Sequence, residues 1–275
     1  MTAQATAQRR PASPLATAWE RLWRSRRMAQ RNILVYRHQW IIILSGVFEP
    51  IFYLLGIGLG IGAIVREVRL VDGTVIPYAA FVAPALMATA AMNGAVFETI
   101  FNVFFKLNYA KTYDGVLATP MGITEIALGE LTWALLRAAL YAVAMFVIML
   151  PMGLVLSPLG ILTVPAALLV AATFAAAGLA GTSYLRTVND FDIPMGLVVM
   201  PMFLFSGTFF PITIFPEPIQ IAIQFTPLYH GINLIRGLST GLFDAADLLS
   251  VLYLVAFFTV CLWIAMRQLE RRLIK

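Results

Sequence analysis

GLVVMPMFLFSGTFFPITIFPEPIQIAIQFTPLYHGINLIRGLSTG, residues 196–241, is made of apolar runs separated by a break rich in glycine and proline. The first run ends at Ser206-Gly207 and Pro211, and the second follows Pro218. Such a break frees backbone groups that find no water in lipid, so it is tolerated where it is buried in protein or lines a wet cavity. We expect an outer hairpin over 210–241 that re-enters the outer leaflet. The alternative is a plain outer loop carrying a surface helix.

The composition around this stretch is that of an integral membrane protein. Of the 275 residues, 60% are hydrophobic and only 12% are charged, and the mean hydropathy is +0.85. A soluble domain carries about 25% charged residues. The first forty residues are polar and basic, with no early apolar run and no cleavage site, so no cleaved signal peptide is expected.

Six segments are long and apolar enough to cross a hydrocarbon core of about 30 Å. They are Trp40–Ile64, Tyr78–Phe105, Leu131–Val155, Leu162–Tyr184, Ile193–Phe209 and Leu248–Met266. We therefore predict an all-α polytopic membrane protein whose membrane domain covers 39–275. The outer re-entrant helical hairpin lies between the fifth and sixth spans.

The N-terminal region divides into two parts. Residues 1–16 have the composition of a disordered tail. Over 17–38, Trp and other apolar residues recur near helical spacing among six arginines, which predicts an amphipathic helix on the inner membrane surface. An ordinary positive flank of the first span is the alternative.

The distribution of Lys and Arg sets the orientation. With the N-terminus inside, the cytoplasmic residues are eight in the N-terminal region, two in 106–125, Arg186 and four in the tail. The outside residues are Arg66, Arg69 and Arg236. The excess on one side predicts that both termini are cytoplasmic, in a multi-pass protein of the plasma (inner) membrane.

Two cytoplasmic loops have the residues of ordered structure. In 106–130, KLNYAKTYDGVLATPMGITEIALGE, one short helix is predicted to end at Leu117-Ala118-Thr119-Pro120, and Thr124 is predicted to cap the next. A mere connector is the alternative. In 186–194, Asp192 with Pro194 predicts a helix start, and a contact with a partner subunit is the alternative.

The sequence offers no catalytic set. No Ser/His/Asp or Cys/His cluster occurs, and the lone Cys261 excludes an internal disulfide. His38 and His230 are isolated, so no metal site is predicted. No G-x-x-x-x-G-K-[ST] phosphate-binding loop occurs. We expect a chain that is not an enzyme, binds no cofactor itself and has no nucleic-acid partner.

Four polar residues inside the predicted spans are candidates for a transport pathway: Glu49, Asn93, Glu98 and Arg137. Charges in lipid are costly, so they are paired or line a wet path. The three charged residues fall at similar depths in the inner half of the bilayer. We predict that Arg137 pairs with Glu98, while Glu49 joins them or faces the pathway. The pair is either a structural staple or a cytoplasmic gate.

The motifs Ser206–Pro211, Thr226–Gly231 and Arg236-Gly237 resemble the last third of type-2 ABC exporter permeases. The nodulation-signal (lipo-oligosaccharide) exporter permeases are the closest branch, and daunorubicin-type efflux permeases are more distant. The resemblance extends from about Glu49 to Gly241. It assigns to the outer hairpin the residues Gly207, Pro211, Pro227, Tyr229 and His230.

The resemblance also implies partners. Part of 106–125 is similar to the coupling helix that contacts an ATPase, at Tyr113, Asp114, Gly115, Leu117, Ala118, Thr119 and Pro120. Two copies of a separate ATPase, which bind ATP and Mg, would drive a permease homodimer that exports an amphipathic substrate: a lipo-oligosaccharide, glycolipid or hydrophobic drug. The alternatives are an ion- or proton-coupled transporter that uses Glu49 and Glu98, and a membrane-embedded lipid transferase.

Overall fold

A computed structural model describes residues 14–37, 40–70 and 73–273 of the chain. Within them, six helices are long and apolar enough to cross a membrane. These first to sixth spans are Leu44–Val65, Tyr78–Asn108, Ile123–Met149, Pro158–Thr182, Val188–Phe205 and Ala245–Leu273. The prediction of six spans in a mostly helical chain is confirmed.

Several spans are not uniform α-helices. The first comprises Trp40–Tyr53, a π-helical stretch Leu54–Leu59, and Gly60–Val65. The second comprises Tyr78–Phe97, the π-helical Glu98–Asn102, and Val103–Asn108. The fourth opens with the 3-10 turn Pro158–Leu162 before Thr163–Thr182. The fifth comprises the 3-10 turn Val188–Phe191, the π-helical Ile193–Val199, and Met200–Phe205. Single π-helical turns often mark functional positions, and the one in the second span begins at a buried carboxylate, Glu98.

The third span differs most from its prediction, Leu131–Val155. Its helix begins at Ile123 and ends at Met149. Gly122 is extended, and its backbone N–H donates to the Glu125 carboxylate at 3.0 Å, so Glu125 rather than Thr124 caps the start. The additional eight residues or so lengthen the helix by about 12 Å at this end. The predicted loop 106–130 therefore ends at Gly122, after a short helix, Thr112–Leu117, which we call the loop helix.

The fifth span also begins earlier than predicted, at Val188. The Asp190 carboxylate accepts hydrogen bonds from the Arg186 and Thr187 backbone N–H groups at 2.7 and 3.1 Å. Asp190, rather than Asp192 with Pro194, therefore caps this start. A second partner contact over 186–194 stays a prediction.

The N-terminal helix runs from Pro14 to Tyr36. Residues 14–16 are helical, so the predicted tail extended three residues too far, while 1–13 and His38 lie outside the described residues. Met28 and Tyr36 are buried on the face toward the third span, whereas Trp23 and Leu34 are exposed. This exposed apolar face suits a membrane surface, and the interfacial position stays a prediction.

A two-stranded antiparallel sheet, Glu67–Arg69 with Val75–Pro77, joins the first and second spans. The all-α prediction missed it. Val68 and Ile76 pair directly, and both are buried while their neighbours are exposed, which is the alternation of a half-buried strand. The run is too short to give a clear signal in the sequence.

The second span lies at the centre of the bundle, with 89% of its apolar window buried, against 17% for the first span and 11% for the fifth. After the fifth span, the chain forms the 3-10 turn Ile212–Ile214 and two helices, Glu217–Gln224 and Pro227–Thr240. We call these the outer helices. The longer one packs on the second, fourth and sixth spans. The sparsely buried first and fifth spans meet each other through Tyr53 and Phe203, whose ring centroids are 5.8 Å apart.

Candidate functional site

Four charged side chains meet between the second and third spans, and we call them the inner charge cluster: Glu98, Lys106, Glu130 and Arg137. Arg137 Nη1 lies 2.6 Å from Glu98 Oε2. Lys106 Nζ lies 2.7 Å from Glu130 Oε2 and 3.6 Å from Glu98 Oε1. One lysine thus stands between the two carboxylates, and the cluster balances two negative charges with two positive ones.

The cluster is almost wholly removed from solvent. Glu98 is 0% exposed, Glu130 1% and Arg137 6%. Buried ions are tolerated when each has an opposite charge and further hydrogen bonds, whereas a lone one is costly. The Glu98–Arg137 pair predicted from the sequence is present. Lys106 and Glu130 were missed because they were assigned to a loop. The available signal was spacing, since Glu130 precedes Arg137 by two helical turns and so lies on the same helix face.

Hydrogen bonds extend the cluster to two further elements. Asn32, in the N-terminal helix, donates to Glu130 Oε2 at 3.0 Å and accepts from Lys106 at 3.2 Å. Tyr113, in the loop helix, donates from its hydroxyl to Glu130 Oε1 at 3.0 Å. Burial, together with the adjacent Glu130 carboxylate, raises the pKa of Tyr113 well above its ordinary value, so the hydroxyl remains a donor. The loop helix is therefore anchored to Glu130.

The other face of the loop helix is open. Asp114, Gly115, Ala118, Thr119 and Pro120 are exposed, and a Cβ built on Gly115 meets nothing within 4 Å. Leu117 is half-buried, whereas Tyr113 is only 1% exposed. Five of the predicted coupling residues are thus free to meet a partner. Tyr113 is not, and its position makes it the anchor behind that face.

A cavity of about 340 Å³ lies beside the cluster, between the first, second and third spans. Three of the predicted pathway residues line it, Glu49, Asn93 and Arg137, and the fourth, Glu98, stands behind Arg137. The aromatic rings that line it belong to Tyr53, Phe97, Phe101, Tyr141 and Phe203. This inner cavity is therefore polar in one part and aromatic in another. Its role in transport stays a prediction.

Tyr141 fixes the wall of this cavity. Its hydroxyl accepts from Arg137 Nη2 at 2.9 Å and from Nε at 3.3 Å. A Cβ on Gly46 or Gly94 would collide with the Tyr141 ring, so glycine on both neighbouring spans admits it. The sequence singled out glycines at the outer end of the first span and missed these two.

The outer segment buries a second arginine without a carboxylate partner. Arg236 donates to the Gly207 carbonyl oxygen at 2.7 Å and to the Phe81 carbonyl oxygen at 3.2 Å, and it lies over the Phe81 ring at 3.8 Å. Gly207 has φ +82°, a left-handed conformation that favours glycine. The predicted break at Ser206-Gly207 is present, and Arg236 satisfies the carbonyl that it frees.

The sixth span serves as a ruler for the depth of the outer helices. Asp247, near its start, lies against Gly237, Ser250 bonds His230 at 3.0 Å, and Tyr253 bonds the Phe225 carbonyl. The turn between the outer helices thus lies about eight residues, or about 12 Å, along the sixth span. His230 follows this turn closely and stacks on Tyr253, so its predicted position near a wet end is wrong.

Pro211 precedes the 3-10 turn, and Pro227 is the first residue of the longer outer helix. Proline suits a first turn because its missing N–H would have no intrahelical partner there. Tyr229 is half-buried one turn into the same helix. These residues shape a compact hairpin, and its entry into a bilayer stays a prediction.

A family model described as "ABC-2 type transporter" matches residues 25–239. Nodulation protein J of Sinorhizobium fredii is 32% identical over 264 residues, which cover 96% of each chain. The protein of the same name from Rhizobium leguminosarum bv. trifolii is 32% identical over 224 residues, 81% of each chain. Its counterpart from R. leguminosarum bv. viciae is 30% identical over 258 residues, 94% of this chain and 95% of the relative.

Proposed function

Since the chain belongs to the ABC-2 type transporter family, we propose that it is the membrane subunit of an ATP-driven exporter of an amphipathic substrate. Two copies of a separate ATPase subunit bind ATP and Mg and supply the energy. Two copies of this chain form the permease. Both termini and the loop helix lie on the cytoplasmic side of the plasma membrane, where most Lys and Arg residues are found.

The anchored loop helix is the observation that carries this proposal. Its exposed face, around Asp114 and Gly115, suits a contact with a partner, and its buried face reaches Glu130 through Tyr113. Glu130 shares Lys106 with Glu98, and Glu98 holds Arg137 in the wall of the inner cavity. Movement of the loop helix therefore acts on groups that are in contact with the cavity.

The inner cavity supports an amphipathic substrate. Glu49 is exposed on its open side and has no hydrogen bond or ion pair among the described residues. A polar head group can meet Glu49, Asn93 and Arg137 while a lipid tail follows the aromatic rings. The sparsely buried first and fifth spans border this cavity through Tyr53 and Phe203, and they offer apolar surface to a second copy or to lipid.

Reconstitution with the partner ATPase tests the proposal. Asp114→Arg and Gly115→Trp place charge or bulk on the open face of the loop helix, so both are expected to abolish substrate-stimulated ATP hydrolysis while the chain still inserts. Glu67→Arg, an exposed charge reversal in the outer sheet, is the matched control and leaves the stimulation unchanged. Unaltered stimulation in both variants would make the loop helix a connector. ATP-independent uptake driven by an ion gradient would establish the secondary-transporter alternative.

Cysteine labelling tests the orientation. In a Cys261→Ala background, Gly115→Cys is expected to react with an impermeant thiol reagent in inverted vesicles and not in intact cells. Labelling from outside intact cells would reverse the proposed orientation and remove the contact with a cytoplasmic ATPase.

A further inference from the structure

A second cavity, of about 460 Å³, lies at the opposite end of the bundle from the loop helix. We call it the outer cavity. Its walls come from the start of the second span at Phe81, both outer helices, and the start of the sixth span at Asp247. The size is that of a site for a small organic ligand, about 300–1,000 Å³.

Polar groups without partners line this cavity. The side chains of Gln224, Tyr229 and Asn233, together with Arg236 Nη1 and Asp247 Oδ1, have no hydrogen-bond partner within 14–37, 40–70 and 73–273. Most polar groups in protein interiors are hydrogen-bonded, so several unsatisfied donors and acceptors around one cavity indicate a polar occupant.

The scaffold that holds these groups is fixed. The Nε and Nη2 atoms of Arg236 are held by two backbone carbonyls, which leaves Nη1 for the cavity. A Cβ on Gly237 would collide with the Asp247 carboxylate, so glycine there allows the outer helix and the sixth span to approach closely. Groups held in place by their own contacts bind a ligand without a large ordering cost.

The mixture of groups selects the class of ligand. An anion would meet Asp244 and Asp247, and a cation would meet Arg236. Asp244 is also engaged by the backbone N–H groups of Ala246 and Asp247 at 2.8 and 3.1 Å. A neutral molecule with many hydroxyl groups satisfies donors and acceptors alike, and the Tyr229 ring offers an apolar surface. These are the properties of a sugar unit.

We propose that the outer cavity binds a neutral sugar unit, with Asn233, Gln224, Arg236 Nη1 and Asp247 Oδ1 as its hydrogen-bonding groups. The inference deepens the proposed function and rests on it in one respect: the sugar would be the head group of the exported amphipathic molecule after it crosses the membrane.

Saturation-transfer NMR on the permease in lipid nanodiscs tests the site. Maltoside and glucoside detergents must be absent, because they carry the same chemistry as the ligand. The probes are neutral tetrasaccharides of glucose and of N-acetylglucosamine, each free and as an alkyl glycoside in the nanodisc. We expect saturable binding of at least one sugar in both forms. Binding of the alkyl glycosides without either free sugar would mean that the tail, not a sugar site, is recognised, and would overturn the proposal.

Asn233→Leu replaces a central polar group of the cavity and is expected to weaken binding by about tenfold or more. Asn189→Leu, the same change at an exposed position, is the control and leaves binding unchanged. Gly237→Ala, which displaces Asp247, is expected to weaken binding as well. Absence of binding by every sugar, or equal binding in Asn233→Leu and Asn189→Leu, would overturn the proposal.

The two proposals fail separately. ATP-driven transport by a protein that binds no sugar would remove only the outer sugar site. Sugar binding that is lost in Asn233→Leu, in a protein that the ATPase does not drive, would keep the site and remove only the proposed coupling.

Discussion

The inner charge cluster and the outer segment each bury an arginine, and they stabilise it in different ways. Arg137 meets a carboxylate, Glu98, and a tyrosine hydroxyl, all of them side chains. Arg236 meets two backbone carbonyls and an aromatic face. Side chains can change rotamer and exchange partners, whereas carbonyls at a broken helix are fixed by the fold. The inner region can therefore rearrange, while the outer one is a staple.

The contrast has an electrostatic side too. In the inner cluster, Glu98 Oε1 is buried and has no hydrogen bond, and Lys106 lies 3.6 Å away. A small shift of Lys106 from Glu130 toward Glu98 would exchange one ion pair for another at little cost. Within the described outer segment, no carboxylate pairs with Arg236. A switch is thus plausible in chemistry at the inner end, where the loop helix is attached.

The largest effect is expected from Arg137→Met. Removing one partner of a buried pair leaves Glu98 uncompensated and costs about 3–5 kcal/mol of stability. The double variant Glu98→Met/Arg137→Met removes both charges and should recover most of that loss. Thermal unfolding in nanodiscs, followed by size-exclusion chromatography, measures all three variants.

Charge reversal sharpens this test. Glu98→Arg or Arg137→Glu alone is expected to impair folding or transport, and the double exchange should restore part of it. A double variant no better than the worse single one would contradict the pair. Restored folding without restored transport would retain the pair and assign Glu98 a role in the pathway.

Arg236→Met is expected to cost less, about 2 kcal/mol, because two neutral carbonyls lose their donor rather than a buried charge losing its partner. Arg236→Lys should fall between, since an ammonium group lacks the planar fork that reaches both carbonyls. The same unfolding measurement applies. A loss as large as that of Arg137→Met would show that Arg236 has an ionic partner, and the contrast between the regions would fail.

The sequence predicted the spans and the Glu98–Arg137 pair because both follow from the cost of polar groups in lipid. It missed Lys106 and Glu130 because hydropathy defines only the apolar part of a helix. The third helix continues about two turns beyond that part, to the cap at Gly122 and Glu125. Tyr113 and Tyr141 were not recognised as anchors because their partners depend on tertiary packing, which leaves no local pattern in the sequence.

Tyr113→Phe is expected to have a smaller effect, about 1.5 kcal/mol, because Glu130 keeps Lys106 and Asn32 when it loses the phenol. Its effect on coupling should be larger than its effect on stability, with more ATP hydrolysed per substrate exported. Tyr109→Phe, at an exposed tyrosine near the same helix, is the control. Equal coupling ratios in both variants would show that the loop helix acts without this anchor.

The smallest effect concerns two left-handed residues, one in each region. Lys111, just before the loop helix, has φ +49°, and Gly207 has φ +82°. A left-handed conformation costs a residue with a side chain about 1–2 kcal/mol, while glycine adds about 0.5–1 kcal/mol of backbone entropy to the unfolded chain. Lys111→Gly should therefore gain up to about 1 kcal/mol, whereas Gly207→Ala should lose stability, and its new Cβ would also lie 3.4 Å from Ile212. Unfolding temperatures of the two variants measure both signs. Destabilisation by Lys111→Gly would mean that the lysine side chain itself supports the inner region, so that this region, like the outer one, is fixed at the point where its chain turns.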